Sequence, residues 1–159
     1  EDDDVTLRGI KLKAVCDDLV IITGPVGGGK SSLLLSILGE IPLISGSISV
    51  RGRIAYFPQI PFGKQMEEER YNKVLEVCGL VSDLSLFPRG DLTVIGQRGA
   101  SLSGGQQSRV SLARAVYADV EIYLLDNPFS SLDSKVGQDI LNECIQRALS
   151  NKLKILVTH

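Results

Sequence analysis

Apolar positions along this chain fall into short unbroken runs and longer helical stripes, and the two kinds alternate. Leu19-Val20-Ile21-Ile22 is a four-residue apolar run close to glycine, as expected of a strand buried on both faces of a parallel sheet. Lys30 to Leu38 is rich in leucine and predicts a helix stopped by Gly39. From Ile44 to Phe57, β-branched residues around Gly46 and an Arg51-Gly52-Arg53 turn predict two short strands. Tyr71, Val74, Leu75 and Cys78 keep helical spacing between Glu67 and Cys78, with charges on the other face. A loop holding Pro88, Gly90, Gly96 and Gly99 precedes a second helix, from about Gly104 to Tyr117. Glu121 to Leu125 then predicts a buried strand, Ser134 to Leu149 a striped helix, and Leu153 to Val157 a last strand. Such alternation argues for an α/β core around a parallel sheet.

Size and charge narrow the function classes. A length of 159 residues suits one domain with a sizeable core. With 17 Lys and Arg against 19 Asp and Glu, no basic footprint for nucleic acid or an anionic membrane is present. Cys16, Cys78 and Cys144 are widely spaced, which disfavours a disulfide framework or a zinc site and fits a reducing compartment. The apolar runs fall far short of the roughly 18 residues of a membrane span, so no direct membrane insertion is expected. The acidic start Glu1-Asp2-Asp3-Asp4 and the stop at His159, just after a strand, lead us to expect a piece of a longer chain.

Three strings carry candidate chemistry. Gly24-Pro25-Val26-Gly27-Gly28-Gly29-Lys30-Ser31 matches the P-loop pattern G-x-x-x-x-G-K-S/T, between a predicted strand and a predicted helix. Glycines there let backbone N–H groups turn toward phosphate oxygens, and the helix N-terminus adds partial positive charge. Lys30 would reach the outer phosphates and the Ser31 hydroxyl would hold Mg²⁺. In Ile122-Tyr123-Leu124-Leu125-Asp126 a carboxylate ends a buried strand, the Walker B position, where α/β sheets bind ligands and where Asp126 would serve the same Mg²⁺. Leu102-Ser103-Gly104-Gly105-Gln106 starts a helix with a hydroxyl and free N–H groups, a second anion cradle in one small chain.

That last string resembles the signature motif of ATP-binding-cassette (ABC) ATPases. Finer features are similar to the first nucleotide-binding domain of the multidrug-resistance-associated subfamily, subfamily C: Gly24-Pro25-Val26-Gly27, Ile54-Ala55-Tyr56, Thr93-Val94-Ile95-Gly96, Arg98-Gly99, Ala113-Arg114-Ala115-Val116-Tyr117 and Ile155-Leu156-Val157-Thr158-His159. The resemblance implies a P-loop NTPase with a RecA-like parallel core. A small helical subdomain at about residues 64–101 and a partial antiparallel β subdomain would complete it. It implies ATP and Mg²⁺ as ligands, with Ser32 joining the P-loop residues around the nucleotide. Gln59 would be the Q-loop glutamine near Mg²⁺ and the attacking water, Asp133 the D-loop aspartate at a domain interface, and His159 the switch histidine on the γ-phosphate. Partners by the same resemblance are a second nucleotide-binding domain, packed head to tail, and transmembrane domains of one exporter, which places the chain at the cytoplasmic face of a membrane. A soluble ribosome-associated or DNA-repair ABC ATPase, and a nucleotide sensor without turnover, are the alternatives.

The chain also departs from that family. Asn127 stands where active sites carry a glutamate, and an amide cannot take a proton from water, so its own site is expected to hydrolyse slowly. Residues 1–23 hold no aromatic ring to stack on adenine, and after Gln59 the chain runs through Ile60-Pro61-Phe62 to Gly63-Lys64 where relatives carry roughly a dozen more residues.

Overall fold

A computed structural model describes residues 6–57, 67–96 and 101–158. Among these residues, four strands form one sheet in the order β1-β4-β3-β2: β1 (Leu19–Ile22), β2 (Ile54–Phe57), β3 (Ile122–Asp126) and β4 (Leu153–Val157). Every neighbouring pair is parallel, with Leu19 opposite Lys154, Ile54 opposite Ile122 and Ile122 opposite Leu153. The apolar runs of β3 and β4 pack on both faces, whereas β1, also read as buried on both, lies at the end of the described sheet and leaves Ile21 53% exposed. Tyr123, Leu125 and Leu156 meet Ala55 and Phe57 in one core with α2 (Glu68–Val77), α4 (Gly104–Ala118) and α5 (Ser134–Ile140). Ile122, Leu124, Ile155 and Val157 form a second core on the other face, around Leu34 of α1 (Lys30–Leu38). Period-two alternation therefore leaves Asp126, two residues beyond Leu124, on the α1 face.

Helix ends follow local chemistry. Gly39 closes α1 in the left-handed conformation at φ 81°, its N–H returned to Leu35 and Ser36 carbonyls. α4 opens on Ser103 with a reciprocal capping box to Gln106, and α5 opens on Asp133, whose carboxylate accepts the Val136 N–H at 3.0 Å.

Three expectations need correction. Residues 44 to 57 supply one strand, β2, and not two; residues 44–53 are not in a strand, with Ile44 80% exposed. The partial antiparallel β subdomain is thus absent among the described residues. An antiparallel ribbon with no third strand or helix to cover its apolar face is marginal in water, whereas Ile54 to Phe57 gains a place beside β3. The loop expected before α4 contains a six-residue helix, α3 (Val81–Leu86), and a single turn at Gly90–Leu92. The helix read from Ser134 to Leu149 is α-helical only to Ile140, then widens to a π-helix over Leu141–Ala148. Its buried positions, Ile140, Cys144, Ile145 and Leu149, recur every four to five residues, and the Leu149 N–H reaches back five residues to the Cys144 carbonyl.

Candidate functional site

The P-loop, Asp126 and Asn127 lie where the parallel strands end. Thr158 N–H donates to the Ile22 carbonyl at 3.0 Å, and Asn127 N–H to the Val157 carbonyl at 2.9 Å. These two bonds tie the entry of the P-loop, the Asp126-Asn127 pair and the end of β4 to one sheet edge, the edge at which open α/β sheets bind ligands.

Between β1 and α1 the chain turns through left-handed backbone at Gly27 (φ 80°) and Gly29 (φ 78°). Gly29 is also a close approach, since a Cβ there would lie 2.7 Å from Leu7 Cδ2. As N-cap of α1 it offers no side chain to the helix's free N–H groups, and the first turn holds no acidic residue. Lys30 is 9% exposed, and its ammonium donates to the carbonyls of Gly24 (2.7 Å) and Pro25 (2.8 Å). A nearly buried cation held by neutral carbonyls at an uncapped helix N-terminus is a site short of negative charge. The donor set therefore fits a polyphosphate. Pro25, Val26 and Gly28 rim the turn in solvent, Ser31 is exposed and Ser32 half-buried.

Asp126 ends β3, half-buried, and the Tyr56 hydroxyl of β2 donates to its Oδ2 at 3.3 Å. Burial first and the Asp126 charge second push the Tyr56 phenol above its ordinary range, so it stays a donor. A carboxylate braced in this way beside the start of α1 suits an Mg²⁺ ion and its water shell. Asn127 follows in the left-handed region at φ 50°, a conformation asparagine tolerates better than most residues.

Ser103 and Gln106 form a separate cluster. The Gln106 N–H donates to Ser103 Oγ at 3.2 Å, and Gln106 Oε1 accepts the Ser103 N–H at 3.0 Å. Gly104 and Gly105 press on the loop before α5: a Cβ at Gly105 would stand 3.0 Å from the Ser131 carbonyl oxygen. Leu102 is half-buried, and its carbonyl accepts from Gln107 Nε2 at 3.0 Å. The close contacts of this cluster thus run to the Ser131–Asp133 turn and to α3, and its exposed serine faces solvent. Gln59 and His159 lie outside the described residues. Sequence reading passed over Tyr56 as a site residue, and also Asp83 of α3, whose carboxylate accepts from both Arg109 and Gln106. Neither pairing leaves a local signal, because the partners are 70 and 23 to 26 positions apart.

A parallel sheet, a glycine turn with an anion-seeking lysine and a carboxylate at the end of a neighbouring strand together define a P-loop nucleotide-binding domain. The profile of the ABC transporter family matches residues 7–130, and the chain belongs to that family. In its finer motif strings the likeness is to multidrug resistance-associated protein 4, and the relatives agree. ATP-binding cassette sub-family C member 4 of Mus musculus is 53% identical over 169 residues, covering 99% of this chain and 13% of that protein. The Homo sapiens protein of the same name is 49% identical over 97% of this chain and 12% of its own length. ABC transporter C family member 12 of Dictyostelium discoideum is 46% identical over 171 residues, with 100% of this chain and 13% of its own length covered. The chain thus spans about one eighth of the length of these relatives. No helix among the described residues is long and apolar enough to cross a membrane.

Proposed function

We propose that this chain is an ATP-binding domain of a membrane exporter, at the cytoplasmic face, paired head to tail with a second nucleotide-binding domain and coupled to transmembrane domains. The observation that carries the proposal is the Lys30 ammonium, nearly buried and bonded to the Gly24 and Pro25 carbonyls, at the uncapped start of α1. Gly24 to Ser32 would hold the phosphates, with Lys30 moving from its two carbonyls onto them. Ser31, Asp126 and Gln59 would hold Mg²⁺, which when bound supplies charge neutralisation at the phosphates. Residues from about 64 to 101 would form the helical subdomain inserted in the core, with Asp133 at the domain interface and His159 near the terminal phosphate.

Asn127 has no proton acceptor to offer water, so the chain's own site would bind nucleotide and turn it over slowly. Ser103 would act on a nucleotide held by the second domain, since its cluster is built on α3 and the Ser131–Asp133 turn. Replacing it separates the two cradles. Ser103→Arg fills the second cradle with a bulky side chain, so ATP binding by the domain alone is expected to stay at the parent level while ATP-driven association with the second domain is lost. Nucleotide titration and phosphate release from matched assemblies measure both, and loss of ATP binding by the folded single domain would contradict the two-domain reading.

A further inference from the structure

Asp83 is 7% exposed in a helix of six residues, a costly place for a carboxylate unless its neighbours require it. Its two oxygens have different tasks. Oδ2 accepts from Arg109 twice, from Nη2 at 2.6 Å and from Nε at 2.9 Å, whereas Oδ1 accepts from Gln106 Nε2 at 3.2 Å. Gln106 must therefore present its amide nitrogen to Asp83 and its oxygen to the Ser103 N–H, and only one orientation of the amide does both. With Gln106 so held, its backbone N–H occupies a lone pair of Ser103 Oγ. The capping box uses Ser103 Oγ only as an acceptor, so the hydroxyl keeps its own proton for an outside acceptor.

We propose that Asp83 is a positioning residue for the signature serine: acting through Gln106, it locks the capping box so that the Ser103 hydroxyl presents its proton to the terminal phosphate of a nucleotide held by the second domain. The proposal rests on the head-to-tail reading above. It also gives α3 a task, because this short helix carries the carboxylate that orients the start of α4. Arg109 supplies the compensating charge and leaves Oδ1 to the amide.

Gln106→Glu tests the link selectively. One glutamate oxygen can still accept the Ser103 N–H, but the other faces Asp83 and turns an attraction into a clash of like charges. Asp83→Asn in the same protein restores a donor opposite that oxygen, so the double variant should recover. In the full-length transporter, labelling of each domain by radiolabelled 8-azido-ATP reports the two sites separately, and Ser103→Ala serves as the reference. We expect Gln106→Glu to weaken labelling of the second domain's site about tenfold, the low end for a lost hydrogen bond to a charged group. Labelling of this chain's own P-loop should not change, and Asp83→Asn with Gln106→Glu should regain most of the loss. If Ser103→Ala weakens the second site and Gln106→Glu does not, the role of Asp83 is refuted while the head-to-tail reading survives. A fall at both sites alike, without recovery in the double variant, would assign the cluster to folding alone. No effect of Ser103→Ala would remove the head-to-tail reading and this proposal with it.

Discussion

Asn127 offers a prediction in which stability and turnover move in opposite directions. Its backbone is left-handed at φ 50°, pinned by its N–H on the Val157 carbonyl at 2.9 Å and by its own carbonyl accepting the Ser130 N–H at 3.3 Å. A residue with a Cβ pays roughly 1–2 kcal/mol in that region, and asparagine is partly excused because its short amide bonds locally. Asn127→Glu should therefore destabilise the domain by about 1 kcal/mol, a fall in melting temperature of about 2–4 °C at this size. Asn127→Ala should cost a similar amount, whereas Asn127→Gly should be near neutral, relief of strain being offset by a more flexible unfolded chain. The same glutamate would add the missing proton acceptor, so phosphate release from this site in the full-length protein should rise about a hundredfold or more. Urea midpoints at constant slope measure the first effect and single-site phosphate release the second. Equal stability of the Glu, Gly and parent proteins would refute the strain argument, and a glutamate variant no faster than the parent would refute the assignment of Asn127.

Two further predictions concern the opposite end of the sheet, where the strands begin. The Glu121 carboxylate accepts from Arg53 Nε, Nη2 and backbone N–H, with the side-chain bonds the larger cause, and these hold its pKa at about 2 against an ordinary 4.5. A lowered carboxylate pKa stabilises above the unfolded value, so stability should be lost as pH falls from about 4.5 through about 2. Glu121→Gln should flatten that part of the acid unfolding profile, and an unchanged profile would count against the pairing. Lys154 is 2% exposed on β4, and its ammonium donates to the carbonyls of Asp17, Leu149 and Ser150, closing the end of the π-helix. Lys154→Met should cost about 2 kcal/mol by stranding those carbonyls, read as a lower urea midpoint.

What could be read from sequence was what the chain writes contiguously. Leu19–Ile22, Lys30–Leu38 and Leu153–Val157 form with the predicted bounds, because short, mainly apolar runs and a glycine stop specify them locally. Gly24 to Ser31, Asp126 and Ser103 stand out as candidates for the same reason, each lying in a short string with a mechanism. The helix at Val81–Leu86 was not, since Val-Ser-Asp-Leu-Ser-Leu has modest propensity and is anchored by a tertiary pair, Asp83 with Arg109. The strand expected within residues 44–53 failed from the opposite cause: local β-propensity was present, but among the described residues no partner strand covers Ile44, Ile48 or Val50, which stay exposed. Tyr56 beside Asp126 required knowing that β2 lies next to β3, which topology supplies and spacing does not.

The central claim is that the turn from Gly24 to Ser31 binds ATP through Lys30, and titration with a fluorescent ATP analogue in the presence of Mg²⁺ tests it most directly. Lys30→Ala removes the ammonium that now rests on the Gly24 and Pro25 carbonyls. Loss of one hydrogen-bonded charge facing phosphate is worth roughly 1.5–3 kcal/mol, so affinity should fall about ten- to a hundredfold. Equal affinity in Lys30→Ala and the parent, with both proteins folded, would contradict the account.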